Sequence, residues 1–144
     1  MTPEQSFILS LLSPMKTFPM VIPSHIRERI AKLIRVERKD GNPSSLSIIA
    51  REAMTLYAIE QKRNPFPVDI PPMDKQGKSA NIKVPPSIAD SMESLATREA
   101  QAVQDVITKS DIARAAMVWF LDQVEAEQYC RLRRKRSRIF CEKS

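Results

Sequence analysis

Ser79, Asn81 and Lys83 occupy every second position of 78-KSANIKV-84. In an extended chain successive side chains point to opposite faces, so these three share one face. A hydroxyl, a carboxamide and an ammonium in a row can donate and accept directed hydrogen bonds along a polar edge. They carry no nucleophile with a base beside it. The rest of the chain offers little for catalysis either. The single histidine is His25, and the two cysteines, Cys130 and Cys141, stand far from it in sequence. That set does not make a metal-ligand cluster. Two glycines in 144 residues argue against a glycine-rich phosphate loop. Catalytic residues, metals and cofactors are therefore not expected. An alternating polar strand is also what a plain solvated face looks like, so the surrounding elements have to decide.

Charge narrows the partners. The formal net charge is +6, and residues 131–144 hold seven Lys/Arg against one Glu. The other 130 residues balance, 16 basic against 16 acidic. The body is no general polyanion binder, and the excess sits in the tail. Cys130 and Cys141 flank that basic stretch and read as free thiols of a reducing compartment. The apolar run at 7-FILSLL-12 is too short to span a bilayer, and no basic region precedes it. The expectation is a soluble, cytoplasmic protein that does not use a membrane.

The elements that must position the polar row come from an internal repeat. At an offset of 62, 20-MVIP-23 meets 82-IKVP-85, and Ile26, Ile30 and Leu33 meet Ile88, Met92 and Leu95. At an offset of 63, 49-IAREAM-54 meets 112-IARAAM-117, differing only at the fourth position. Each unit opens with a strand of about seven residues at period two. Phe18, Met20 and Ile22 oppose Thr17, Pro19 and Val21; Ala80, Ile82 and Val84 oppose Ser79, Asn81 and Lys83. A proline then starts helix A, with Ile26, Ile30, Leu33 and Ile34 on one stripe and Ile88, Met92, Leu95 and Ala96 on its counterpart. After a loop, 40-DGNP-43 in the first unit, helix B begins at a hydroxyl N-cap, Ser45 or Thr108. Its stripe is Ile49, Ala50, Ala53, Met54 and Tyr57, matched by Ile112, Ala113, Ala116, Met117 and Phe120. Trp119 lies beside that stripe, between helices or on an oligomer face.

One such unit leaves a strand unpaired and an apolar helix face uncovered. Two units solve both problems, the strands pairing antiparallel with four helices over their apolar face. The chain therefore divides into an N-terminal arm (1–15), unit one (16–61), a proline-rich linker (62–77), unit two (78–130) and a basic tail (131–144). The fold class is mainly α with a two-stranded antiparallel ribbon, in one pseudo-dimeric domain.

Strand, proline, helix, loop and hydroxyl-capped helix in ~45 residues resembles the ribbon-helix-helix superfamily of MetJ and Arc type. Two copies in one chain are similar to the TraY-type proteins of conjugative plasmids. The resemblance covers residues 16–61 and 78–124, and 107-ITKSDIARAAM-117 is its most family-like piece.

The resemblance implies sequence-specific binding of double-stranded DNA, with the ribbon in the major groove. The base-reading residues would be Ser79, Asn81 and Lys83, with Thr17 and Val21 from the first strand. Asn pairs bidentately with adenine, Lys donates to guanine acceptors, Ser suits either edge, and Thr17 and Val21 can meet thymine methyls. Pro19 offers no hydrogen bond, so reading is expected to be lopsided toward unit two. The starts of helix B, Ser45-Leu46 and Thr108-Lys109, would hold phosphates through backbone N–H groups. Lys16 and Lys78 would add phosphate contacts, and the tail cations Arg131, Arg133, Arg134, Lys135, Arg136 and Arg138 are either a solvated charge run or a flexible arm on flanking phosphates. The basic helix A of unit one (Arg27, Arg29, Lys32, Arg35, Arg38, Lys39) is either a phosphate-facing or a merely wet surface.

The implied role is accessory to plasmid or T-DNA transfer at an origin or border site, beside a relaxase and with self-association on DNA. A repressor at an operator would use the same chemistry. The tail's strong positive charge argues against an antitoxin. The reading of a different class is a helical module that binds protein and leaves DNA alone.

Overall fold

Both alternating runs form strands. The computed structural model describes the backbone of residues 14–142 and the side chains of residues 14–127. Its elements are β1 (Lys16–Ile22), α1 (Ser24–Lys39), α2 (Leu46–Arg63), β2 (Lys78–Val84), α3 (Pro86–Val103) and α4 (Lys109–Glu142). The protein is thus mainly helical, with one two-stranded antiparallel sheet. The register pairs Lys16 with Val84, Thr17 with Lys83, Phe18 with Ile82, Pro19 with Asn81, Met20 with Ala80, Val21 with Ser79 and Ile22 with Lys78. Phe18, Met20, Ile22, Ile82 and Val84 are buried, so the inner face is the one the alternation predicts. Lys16 and Lys78 share its parity but stand at strand ends, which leaves them exposed.

The helices supply the other half of the core. Ile26, Ile30 and Leu33 of α1 and Ile88, Met92 and Ala96 of α3 are buried. The two alanine-rich stripes meet where α2 packs on α4: Ala50, Ala53, Ala113 and Ala116 have no exposed surface. Small side chains there let the backbones approach, and Met54, Tyr57, Met117 and Leu121 fill the flanks.

The helix ends obey local chemistry. Gly41 follows α1 with φ +84°, its N–H donating to Arg38 O while the Asn42 N–H donates to Glu37 O. This 5→2, 6→1 pair closes the last turn and needs a left-handed residue. The position 63 residues on is Gln104, which adopts φ 55° without glycine's freedom. Ser45 caps α2 by accepting from the Ile48 N–H at 3.2 Å. Thr108 and Asp111 form a reciprocal box at α4, the Asp111 N–H donating to the Thr108 hydroxyl and the Thr108 N–H to Asp111 Oδ2.

The linker is pinned at both ends. Helix α2 runs to Arg63, two residues into the stretch assigned to it. Phe66 then packs edge-on against Tyr57 (5.4 Å between centroids) and stacks with Trp119 (6.3 Å). Buried Gln61 accepts from the Phe66 N–H and from Arg98. At the far end Asp74 reaches the start of α1, whose N-cap, Pro23, has no side-chain donor or acceptor. The Ser24 N–H donates to Asp74 Oδ2 at 2.9 Å, and the Ser24 hydroxyl donates to the same oxygen. Those bonds, the hydroxyl's first, hold the Asp74 carboxyl below its usual range.

The arm at 1–15 lies outside the described residues save for its last two. The C-terminal stretch differs from a flexible arm. Helix α4 continues without a break through Glu142. Its cations Arg131, Arg133, Arg134, Lys135, Arg136 and Arg138, with Cys130 and Cys141, lie beyond the described side chains.

Candidate nucleic-acid interface

The outer ribbon face is formed by three cross-strand pairs: Thr17 with Lys83, Pro19 with Asn81, and Val21 with Ser79. Five of these side chains are exposed, and Val21 is half-buried. The fold therefore brings all five expected base readers onto one surface, with Pro19 at its centre. The Lys83 ammonium donates to the Thr17 hydroxyl across the strands. A ligand that uses Lys83 has to displace that bond, a modest exchange at an exposed site. Gly77 sets the edge of this face. A Cβ there would stand 2.8 Å from Val21 Cγ1.

The two helix starts differ. At α2 the Ser45 hydroxyl serves Ile48 and the Ser45 carbonyl serves Ile49. The Leu46 and Ser47 N–H groups then have no acceptor among the described residues, and no acid stands in the first turn. Orphan N–H groups at the positive end of a helix dipole suit an anion. At α4 the Lys109 and Ser110 N–H groups are likewise unpaired among the described residues, but Asp111 sits in the first turn. Lys109 leans over the Phe18 ring, its Nζ 5.5 Å from the centroid. The α2 start is thus the less hindered anion site of the two.

Arg114 is a site residue that sequence reasoning did not single out. It is 7% exposed, pairs with Asp111, donates to Ser110 Oγ at 3.2 Å and reaches the Val21 carbonyl at 3.4 Å. A guanidinium that deep is tolerated only when paired. It ties the start of α4 to the strand that carries Val21. The signal was present in the repeated IAR, where Arg51 and Arg114 correspond, but Arg51 has Ile48 where Arg114 has Asp111.

Half of the basic helix A face is committed within the chain. Arg27 donates to Gln76 O at 2.8 Å, and Arg38 donates to Ser44 O at 3.0 Å. Arg29 bridges α1 to α4 through Asp122 (2.7 Å) and Glu125 (2.9 Å). Glu125 above all keeps its pKa raised. Lys32, Arg35 and Lys39 remain exposed. Among the described residues no group of His, Cys, Asp and Glu could hold a metal ion, and no helix is long and apolar enough to cross a membrane. Comparison with family models, curated proteins and solved structures returns no match.

Proposed function

We propose that the chain is a tandem ribbon-helix-helix protein that binds duplex DNA with its ribbon in the major groove. One observation carries this reading. The sequence repeat relates each residue of β1 to the one 62 positions on, and the strand register is symmetric about Pro19 and Asn81, themselves 62 apart. A two-fold axis through that pair exchanges the strands and keeps every partner. This is the symmetry of two strand-helix-helix units sharing one ribbon. A pair of strands about 4.8 Å apart fits a major groove about 12 Å wide.

The polar row then meets base edges, Ser79, Asn81 and Lys83 donating and accepting, Thr17 and Val21 touching methyl groups. The first turn of α2 takes a phosphate through the Leu46 and Ser47 N–H groups, and the α4 turn, with Thr108 and Lys109, takes another less tightly. Lys16 and Lys78, at opposite ends of the ribbon, add charge along the backbone. The role this best suits is accessory binding near a transfer origin or border, alongside a relaxase. A repressor would make the same contacts at an operator, and the position of the bound site separates the two.

The test is footprinting on duplex DNA flanking the chain's own coding sequence. Protection of a short site that is lost in Asn81→Ala/Lys83→Ala supports the reading. Protection unaltered by those changes, or no protection at low salt, overturns it.

A further inference from the structure

The linker fills a seat whose counterpart stands open. Phe66 packs on Tyr57 and Trp119, while Gln61 accepts from its N–H and Arg98 donates to its carbonyl. The repeat offsets, 63 for the second helices and 62 for the first, carry Tyr57, Trp119, Gln61 and Arg98 onto Phe120, Leu56, Val124 and Val36. Phe120, Leu56 and Val124 line a groove of about 460 Å³, and Val36 lines its continuation over Leu33 and Val124. Tyr57 and Gln61 are buried, whereas Val36 is 43% and Leu56 39% exposed. Both polar anchors of the linker are valines here, and valine offers no hydrogen bond. An occupant of this groove is therefore held by apolar side chains.

The same offset names the occupant. The linker leads into β2 as the arm leads into β1, residues 1–15 standing 62 positions before 63–77. Ile70 and Met73 meet Ile8 and Leu11. Asp74, which accepts from the Ser24 N–H, meets Leu12, and Ser24 meets Pro86, which has no N–H to offer. Acceptor and donor are thus missing together from the second pair. The arm is also apolar where the groove needs it, in 7-FILSLL-12. Its one charged residue before position 14 is Glu4, which suits Lys32 and Arg35 at the cationic end of the groove. Length allows the contact. Phe66 stands twelve residues before Lys78, with a turn at 75–76 on the way, and Phe7 stands nine before Lys16. Nine extended residues reach about 30 Å.

We infer that the chain's own N-terminal arm covers this groove, its apolar run 7–12 lying on Val36, Leu56, Phe120 and Val124. The arm then does for α1 and α4 what the linker does for α3 and α2. The linker is anchored by hydrogen bonds as well as by Phe66, and the arm by apolar contact alone. The inference uses the repeat and the open groove; it does not depend on the DNA contact.

The test traps the arm in the full chain. In a Cys130→Ser/Cys141→Ser background, Phe7→Cys is combined either with Leu56→Cys in the groove or with Thr97→Cys, exposed on α3. Mild oxidation should close an intramolecular bond in the first pair and not in the second, read by mass and by migration without reductant. Equal bonding in both pairs, or bonding in neither, overturns the proposal. A bond that joins two chains overturns it too, by giving the groove to the arm of a second copy. Trp119, the chain's single tryptophan, lines the same groove and supplies a second readout. Phe7→Ser/Leu11→Ser should shift its emission to the red and raise its quenching by acrylamide. Emission and quenching that stay at the wild-type level overturn the proposal. An unchanged helical signal in circular dichroism shows that each variant is folded. Trapping needs no DNA, so a chain that fails to protect any duplex sinks the DNA reading and leaves this result standing.

Discussion

Replacing Asn81 and Lys83 by alanine tests base reading with little cost to the fold. Asn81 is exposed opposite Pro19, and Lys83 is exposed with one bond among the described residues, to Thr17. Loss of that bond costs about 1 kcal/mol or less at such a site. Base contacts are larger. A good bidentate pair discriminates by about 1–3 kcal/mol, so two lost contacts come to roughly 2–6 kcal/mol. At about 1.4 kcal/mol per tenfold this is a loss of specific affinity from about 30-fold to above ten-thousand-fold. Because Lys83 must first leave Thr17, the lower half of that range is the expected one. The assay is an anisotropy titration on the footprinted duplex and on a scrambled duplex, at one fixed salt concentration. Binding to the scrambled duplex should change only by the loss of one positive charge. The ratio of the two affinities should collapse while the thermal midpoint holds. A preserved ratio with an unchanged midpoint would refute the base-reading argument, because the row would then be only a solvated face.

Other expectations follow from single features. Gln104→Gly relieves a left-handed residue and should stabilise the fold by about 0.5–1 kcal/mol in chemical denaturation. Gly77→Ala forces Val21 aside and should lower DNA affinity as well as stability; loss of stability alone would mean that Val21 does not face the bases. For Asp74, a carboxyl whose folded pKa is lowered adds stability that is present above its ordinary pKa and is lost as pH falls through the lowered value. Asp74→Asn should remove that loss, flattening the melting temperature against pH on the acid side. Glu52 runs the opposite way. Its raised pKa means that ionisation penalises the fold as pH climbs past the ordinary carboxylate range, so Glu52→Gln should gain stability at neutral pH and little below it.

The features written in periodicity are legible in the sequence itself. The inner strand residues, the four helix stripes and the Ser45 and Thr108 caps all rest on contacts a few residues apart, or on a pattern that repeats. What escaped depends on distant partners. Asp74 reaches Ser24 across 50 residues, and Arg29 reaches Glu125 across 96. Neither leaves a local trace. Arg27, Arg29 and Arg38 looked like a basic face because sequence shows a charge but not its acceptor. The helical course of the C-terminal stretch is hidden in the sequence for a related reason. A run of arginines has no apolar period, yet arginine propagates a helix well once α4 has started. The candidate site was legible in its residue types, and the register that aligns them was implicit in the offset of 62.

That register also decides what kind of site the proposed contact would prefer. A homodimeric ribbon places identical residues about its axis and so reads a palindrome most naturally. Here the axial pair is Pro19 with Asn81, one side chain without a donor and one with both donor and acceptor. The next positions outward, equivalent under the axis, are Thr17 with Ser79 and Val21 with Lys83. Thr17 with Ser79 preserves a hydroxyl, whereas Val21 with Lys83 sets a methyl contact against an ammonium. The helix starts are unequal in the other sense, since both leave N–H groups unpaired among the described residues but only α4 has an acid, Asp111, beside them. On the proposed reading unit one would therefore be the better anchor on the backbone and unit two the better reader of bases. Two such units fused in one chain, as proposed, would be able to diverge this way. Such a protein should prefer a site whose two halves differ, with the hydrogen-bonding half under β2.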